Sequence, residues 1–127
     1  MVDVLVVADG PWVLNDVRAA LDDGHYRLHE HTDPRTVADA VRDSRPGLVV
    51  VDLQIGSKGG MAVTRTVRNL VDTGGIDVMP PVIMLLDRAA DAFLAGRSGA
   101  DAWVRKPLDG FELRELADRL TATVEQA

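Results

Sequence analysis

Acidic side chains follow two runs of apolar residues in this sequence, and a lysine follows a third. Asp9 comes directly after the first run, Asp52 after another, and Lys106 after the last. If these runs are parallel strands, their carboxyl ends meet at one edge of a sheet, where ligands bind in open α/β folds. Converging carboxylates repel each other unless a cation lies between them. The arrangement predicts a Mg²⁺ ion on oxygen ligands, with room for a phosphate oxygen.

A carboxylate beside Mg²⁺ can act as a nucleophile towards phosphorus, which would give an aspartyl phosphate. Catalysis at such a site is mostly positioning and charge neutralisation, and Lys106 would supply the remaining positive charge. The bond between Lys106 and Pro107 also matters, because X-Pro bonds can be cis and a fixed isomer orients the preceding side chain. Each residue alone is weak evidence, since an aspartate after a strand is often a turn former or a helix cap. The signal is their shared position at the ends of alternating strands.

The apolar runs have the composition of strands that are covered on both faces, as in a parallel sheet. They are rich in β-branched residues and occupy residues 4–8, 48–51, 81–86 and 102–104. Segment 25–32 alternates between apolar and polar residues instead, which predicts an edge strand.

Helical patterns lie between the predicted strands. Pro11 stands where a first-turn proline belongs, with Asp9 and Gly10 before it to help cap the helix, and Gly24 is expected to end it. The other helices are predicted to begin at Pro34, to span 61–71 and 89–98, and to follow a cap at Asp109, with an apolar stripe of Leu113, Leu116, Leu120 and Val124. Five strands alternating with five helices predict an α/β three-layer sandwich around a parallel sheet.

The composition excludes several classes of function. The 127 residues fit one domain, and 46% hydrophobic with 27% charged residues is ordinary for a globular protein. The chain has no cysteine, which excludes thiol catalysis, Cys-ligated metals and disulfides. A net charge of −6 argues against direct binding of nucleic acid. With neither a signal peptide nor an apolar run of about 20 residues, we expect a cytoplasmic protein without a membrane span.

Other site motifs are absent or weak. The first predicted strand is not followed by a G-x-G-x-x-G fingerprint, and the loop 56–60 lacks the ending of a Walker A motif. His29 and His31 could hold a metal from one strand face, but a solvated edge is the favoured interpretation. A small α/β enzyme with a soluble substrate is disfavoured, because few polar groups remain for substrate recognition.

Four segments, in this order and spacing, make the chain resemble the receiver domain of bacterial two-component response regulators over nearly all of residues 1–127. They are 4–11, 46–53, 59–61 and 99–108. The resemblance implies a flavodoxin-like, doubly wound sandwich, with a five-stranded parallel sheet of order 2-1-3-4-5 flanked by five helices. It also implies a role in phosphorelay signalling.

The resemblance assigns a role to each candidate residue. Asp52 would be the phosphoacceptor, phosphorylated from the phosphohistidine of a histidine kinase or a phosphotransfer protein. Asp9 and Asp52 would bind Mg²⁺, and the backbone carbonyl of Gln54 would complete the protein's share of the coordination. Lys106 would pair with the phosphoryl oxygens. Such a domain is not an enzyme in the usual sense, because it catalyses at most its own phosphorylation and dephosphorylation.

The sequence departs from the family pattern at several of these positions. Ala8 replaces the first acidic residue of a pair, Leu86 replaces a Thr or Ser, Gly56 and Gly59 replace a Pro and an Asp, and Trp103 fills the aromatic switch position. Losing a carboxylate should weaken Mg²⁺ binding, because affinity for a hard ion follows ligand charge. Leu86 cannot donate a hydrogen bond to a phosphoryl oxygen, so Trp103 has less reason to change rotamer.

Two hypotheses therefore stay open. In the first, the chain is a receiver module phosphorylated on Asp52 that ends after its fifth helix and signals through a downstream effector protein or a further phosphotransfer. In the second, it is a degenerate receiver that binds a partner independently of phosphorylation, through the face of the fourth helix, fifth strand and fifth helix. Asp87 does not replace the missing hydroxyl at Leu86, because an anion would repel phosphate. The oligomeric state, a homodimer included, stays open as well.

Overall fold

The computed structural model describes residues 1–56 and 59–126, with the backbone alone for 123–126. Within this part of the chain, one sheet contains five strands: β1 (Val2–Val7), β2 (Tyr26–His31), β3 (Leu48–Asp52), β4 (Val82–Leu86) and β5 (Ala102–Arg105). Neighbouring strands are all parallel, in the order β2-β1-β3-β4-β5. The predicted strand order is confirmed.

Burial along the strands follows their place in the sheet. Every residue of β3 and β4 is buried, because helices cover both faces of these central strands. Strand β2 pairs only with β1 and leaves Arg27 and Glu30 exposed, while Tyr26 is buried. The predicted edge strand is therefore confirmed, although it is two residues shorter than the alternating segment. Strand β1 begins earlier than predicted, because Val2 pairs with Tyr26.

The helices are α1 (Pro11–Leu21), α2 (Val37–Ser44), α3 (Gly59–Asp72), α4 (Ala92–Ser98) and α5 (Gly110–Gln126). The second and fourth begin later than predicted, because 3-10 turns at Pro34–Thr36 and Ala89–Asp91 precede them. Helix α1 ends at Leu21 rather than at Gly24, since the Asp22 N–H makes the closing bond to the Arg18 carbonyl. None of the described helices is both long enough and apolar enough to cross a bilayer.

Two apolar clusters lie on opposite faces of the sheet. Helices α1 and α5 cover one cluster, which includes Val4 and Val6, and helices α2, α3 and α4 cover the other, which includes Leu5 and Val7. Alternate residues of one strand therefore reach opposite layers, and the predicted three-layer sandwich is confirmed. The predicted stripe of α5 is buried at Leu113 and partly buried at Leu116 and Leu120; the side chain of Val124 lies outside the described residues.

The starts of α1 and α5 are stabilised in different ways. The Asp109 carboxylate accepts hydrogen bonds from the backbone N–H groups of Phe111 and Glu112, at 2.9 and 3.3 Å, so the predicted cap of α5 is confirmed. Helix α1 has Gly10 at its N-cap without a side-chain bond, with Pro11 following as predicted. The expected capping role of Asp9 is wrong, because its carboxylate binds a loop across the sheet edge instead.

Candidate functional site

Asp52 is the last residue of β3, the central strand of the sheet. Its side chain is only 5% exposed, because β1 and β4 flank it and the turn that follows folds back over the strand end. The N–H of Gln54 donates to its carboxylate at 2.9 Å, and the buried Ile55 donates its N–H to the Asp52 carbonyl at 3.2 Å. The strand end thus presents one nearly buried carboxylate on a hydrogen-bonded turn.

Lys106 neutralises this carboxylate. It follows β5, where its backbone N–H donates to the Leu86 carbonyl at 2.7 Å and its bond to Pro107 is cis. Its Nζ lies 2.8 Å from both carboxylate oxygens of Asp52, and its side chain is 17% exposed. Burying a carboxylate costs free energy unless it is paired and hydrogen-bonded, and this contact supplies the pair. The structure thus brings together Asp52 and Lys106, the two residues predicted to have the central roles.

Asp87 is a second acidic partner of Lys106. One of its carboxylate oxygens lies 3.3 Å from Nζ, while half of the side chain remains exposed. A lysine ammonium has three N–H donors, and three carboxylate oxygens of this chain now surround it. From the sequence, Asp87 is expected only to repel phosphate. Its position directly after β4, at the same sheet edge, is the signal that could have indicated this contact.

Asp9 lies at the neighbouring strand end, after β1, and is exposed to solvent. Its carboxylate accepts a hydrogen bond from the Gly56 N–H at 3.1 Å, which ties the loop after β3 to the end of β1. The preceding residue, Ala8, is fully buried in the cluster beneath α1 and α5. The position where the family carries another carboxylate is therefore part of the apolar core in this protein.

Gly60 is required by the close approach of α3 to the strand end. Its N–H donates to the Leu53 carbonyl at 2.9 Å. A Cβ atom on this residue would lie 2.7 Å from the Asp52 carbonyl oxygen and 2.8 Å from the Leu53 Cα. Because both are backbone atoms, neither can move aside cheaply. The first turn of α3 therefore packs directly against the backbone of Asp52.

The donor set fits a weakly held Mg²⁺ ion better than a closed metal site. Among residues 1–56 and 59–126, no three acidic or histidine side chains are grouped so as to hold a metal. Mg²⁺ commonly binds through one or two carboxylates and keeps several waters. Asp9, Asp52 and the carbonyl of Gln54 match that requirement, and Ala8 contributes no ligand. The metal-binding roles of these residues stay predictions.

Leu86 and Trp103 occupy contrasting environments. Leu86 is fully buried in the cluster that α2, α3 and α4 cover, together with Val7 and Ala95. Trp103 lies on β5 in register with Met84 and is 39% exposed. Leu86, at the position where the family carries a Thr or Ser, is thus anchored in the core, while Trp103 is partly exposed. Their switch roles stay predictions.

The two histidines on β2 have other partners. His29 lies 3.0 Å from the Asp3 carboxylate, and His31 lies 2.8 Å from the Thr36 hydroxyl. Hydrogen bonds first from Arg27 and then from His29 lower the pKa of Asp3 to about 2. These contacts agree with the solvated edge that the sequence favoured over a metal site.

The fold and site together define a class: a doubly wound α/β domain whose carboxyl edge carries an aspartate paired with a lysine. Residues 4–118 match the family model described as the response regulator receiver domain. The chain belongs to this family of two-component signalling domains.

Comparison with individual proteins gives the extent of the likeness. The DNA-binding response regulator MtrA of Mycolicibacterium smegmatis is 31% identical over 125 residues, which cover 97% of this chain and 50% of that protein. The chain spans about half the length of the curated relatives it matches.

Solved structures agree on the fold. The receiver domain of a signal transduction histidine kinase from Syntrophus aciditrophicus superposes with a TM-score of 0.83 at 22% identity, covering 100% of this chain and 95% of that one. The receiver domain of the sensor histidine kinase PA1611 from Pseudomonas aeruginosa gives a TM-score of 0.80 at 21% identity, with coverage of 95% and 98%. That structure is described with a magnesium ion in its active-site cleft.

Proposed function

We propose that Asp52 accepts a phosphoryl group from the phosphohistidine of a histidine kinase or a phosphotransfer protein. In this step the P–N bond to the donor imidazole breaks, a P–O bond to an Asp52 carboxylate oxygen forms, and the imidazole leaves with the electron pair. The observation that carries the proposal is the nearly buried Asp52 paired through both oxygens with Lys106 at the carboxyl edge of the sheet. The domain would catalyse at most this phosphorylation and its own dephosphorylation, in which water takes the phosphoryl group and inorganic phosphate leaves.

Lys106 would act by shifting the N–H donors of its ammonium from the Asp52 carboxylate to the phosphoryl group. Once one oxygen of Asp52 is bonded to phosphorus, that carboxylate loses its charge, and the charged acceptors nearby become the phosphoryl oxygens. Hydrogen bonds from an ammonium to such oxygens are strong because both partners are charged. Preorganised positive charge lowers the barrier without reorganisation during the reaction.

Mg²⁺ is the cofactor that this chemistry calls for. Asp9, Asp52 and the carbonyl of Gln54 would hold it, and when bound it would neutralise charge on the transferring phosphoryl group. The magnesium ion described in the cleft of the Pseudomonas aeruginosa receiver domain supports this proposal. With Ala8 in place of a further carboxylate, we expect weaker binding than in a site with three acidic residues.

The output would pass to a downstream effector. The net charge of −6 disfavours direct contact of this domain with nucleic acid, so a protein surface is the expected target. The DNA-binding relative from Mycolicibacterium smegmatis is matched over only half of its length, and its name describes that whole protein.

The experiment is incubation with acetyl phosphate and Mg²⁺, followed by measurement of the intact mass. We expect wild type to gain one phosphoryl group as acetate leaves, Asp52→Asn to gain none, and Asp9→Asn to react more slowly at limiting Mg²⁺. Phosphorylation of an ordinary receiver domain in parallel verifies the conditions. Absence of the adduct on wild type under those conditions would overturn the proposal.

A second candidate function is partner binding that does not depend on phosphorylation. The observation that favours it is the burial of Ala8 and Leu86 in the two apolar clusters, since neither position can respond to a phosphoryl group. The candidate surface combines α4, β5 and α5, where Phe93 and Trp103 are exposed. Amide chemical shifts of these elements, recorded before and after phosphorylation, separate the candidates: unchanged shifts favour this one, and widespread shifts favour the first.

A further inference from the structure

We propose that Asp87 is a positioning residue that competes with the phosphoryl group for Lys106 and so restrains phosphorylation of Asp52. The kinetic part of this inference rests on the proposed function, whereas the contact itself does not. Asp87 stands next to Leu86, where the missing hydroxyl leaves the loop after β4 without an attraction to phosphate. The negative charge of the Asp87 carboxylate instead makes that loop repel phosphate.

The geometry pairs Asp87 with the same ammonium that a phosphoryl oxygen would need. Two of the carboxylate contacts of Lys106 go to Asp52 at 2.8 Å, and the third goes to Asp87 at 3.3 Å. Two of the three N–H donors of the ammonium are therefore hydrogen-bonded to Asp52, and the Asp87 carboxylate holds the same ammonium as an ion pair. A phosphoryl group that binds Lys106 must compete with both carboxylates for its positive charge.

The neighbouring cation is engaged elsewhere. Arg88 follows Asp87 in sequence, but its guanidinium donates to the Asp91 carboxylate at 2.9 Å, and Asp91 is buried. The hydrogen bond to Asp91 is the largest cause of the raised pKa of Arg88, and the charge of Asp87 is the smallest. Among residues 1–56 and 59–126, Lys106 is thus the cation that forms an ion pair with the Asp87 carboxylate.

The cavity beside this contact is acidic. Asp16, Asp87 and Lys106 line it together with Trp12 and Pro107. A small phosphodonor is an anion, so the Asp87 charge opposes both its approach and the capture of Lys106 by the transferred group. Asp16 shares the cavity and is exposed, which makes it a matched control for charge without the contact to Lys106.

The kinetic test measures the rate constant of phosphorylation by acetyl phosphate with saturating Mg²⁺. We expect Asp87→Asn to react roughly two to five times faster than wild type, in line with one half-exposed ion pair. Asp87→Glu should stay close to wild type, and Asp16→Asn should change the rate less than Asp87→Asn. The gain should shrink at 1 M salt, where the screening length falls to about 3 Å.

An independent test follows the Lys106 amine itself. Lys58 is the only other lysine of the chain and serves as the internal reference. An N-hydroxysuccinimide acetate reagent forms an amide at an amine that has left its carboxylate partners. We expect Asp87→Asn to raise the labelling rate of Lys106 relative to Lys58 by a similar factor, as peptide mass spectrometry would measure, and Asp16→Asn to leave the ratio near that of wild type.

The outcomes separate the two proposals. Equal effects of Asp87→Asn and Asp16→Asn in both measurements would overturn the role of Asp87. If no variant acquires a phosphoryl group but Lys106 labelling rises in Asp87→Asn, the proposed function fails while the restraint on Lys106 stands. If phosphorylation proceeds and neither its rate nor the labelling depends on Asp87, the function stands and this inference fails.

Discussion

Both carboxylate oxygens of Asp52 lie 2.8 Å from Nζ of Lys106, at a strand end where the Asp52 side chain is only 5% exposed. The lysine reaches this position from a segment 54 residues further along the chain. The site residue therefore ends one strand, β3, and its counter-charge follows another, β5, so the sheet brings the two together. The ion pair between Asp52 and Lys106 therefore contributes both to the candidate site and to the stability of the fold.

Removing the ammonium should destabilise the fold. In Lys106→Met the nearly buried Asp52 carboxylate loses its counter-ion, and we expect a loss of about 1–3 kcal/mol in the free energy of unfolding, measured with urea at pH 7. The double variant with Asp52→Asn should recover much of this loss, because it carries no buried charge. Additive effects of the two substitutions would contradict the pairing.

Leu86→Thr should lower the free energy of unfolding while it adds a hydroxyl that can donate a hydrogen bond. Leu86 is fully buried in the apolar cluster, so a smaller side chain with a hydroxyl leaves a gap and places a polar group in the core. We expect a loss of about 2–4 kcal/mol by urea denaturation. Leu86→Val is the control, and it should cost clearly less. Equal stability of Leu86→Thr and wild type would show that this position tolerates polarity.

The fluorescence of Trp103 should report little when Asp52 is phosphorylated. Leu86 offers no hydroxyl to draw the loop after β4 towards phosphate, so Trp103 should keep its partly exposed environment. The measurement uses Trp12→Phe, because Trp12 is the other tryptophan of the chain. A large emission change on phosphorylation in this background would show that the domain switches by another route.

Gly60→Ala should be costly because the new Cβ would meet backbone atoms of Asp52 and Leu53 at less than 3.0 Å. We expect a loss of about 1–3 kcal/mol, the usual range for overpacking, together with slower phosphorylation of Asp52. Gly96→Ala in α4 is the matched control, since nothing lies within 4 Å of the added atom. That substitution should be neutral or stabilise the fold by about 0.5–1 kcal/mol.

The ionisation of Tyr26 should be delayed at high pH. Burial, and next a hydrogen bond to the Asp118 carboxylate, raise the pKa of Tyr26 to about 12 from a usual value near 10. Because the folded-state pKa is raised, this contribution to stability is complete below pH 10 and is lost as the pH rises towards 12. Tyr26 is the chain's only tyrosine, so phenolate absorbance measures it directly, and ionisation near pH 10 in the folded protein would contradict the burial.

Much of the fold could be predicted because consecutive apolar residues indicate a strand that is buried on both faces. Strands β3 and β4 are covered on both faces, and the alternation around Tyr26 marked the edge of the sheet. The helix starts at Pro34 and Ala89 were misplaced, because a proline or a short polar segment is compatible with either a 3-10 or an α turn. Likewise, Gly24 marked the turn but not the last residue of α1.

The charged residues of the site could be predicted from the sequence, whereas several of the contacts between them could not. Asp9, Asp52 and Lys106 follow strands, so topology alone brings them to one edge. The bond from Gly56 to Asp9 and the contact between Asp87 and Lys106 depend on loop paths, which local sequence patterns do not specify. An aspartate after a strand, such as Asp9, can cap the next helix or bind a loop across the sheet edge with equal local propensity. Tertiary packing decides which of the two contacts forms.

The edge strand β2 also bears on how copies of this domain meet. Asp3 of the neighbouring strand β1 pairs with Arg27 and His29 of β2, and Arg18 of α1 pairs with Glu30 of β2. Charged side chains therefore lie along the β2 edge of the sheet. Charged margins discourage the strand-to-strand stacking that leads to aggregates. At high concentration we therefore expect this edge of the sheet to resist pairing with a strand of a second copy, and any stable pairing of two copies to use other surfaces.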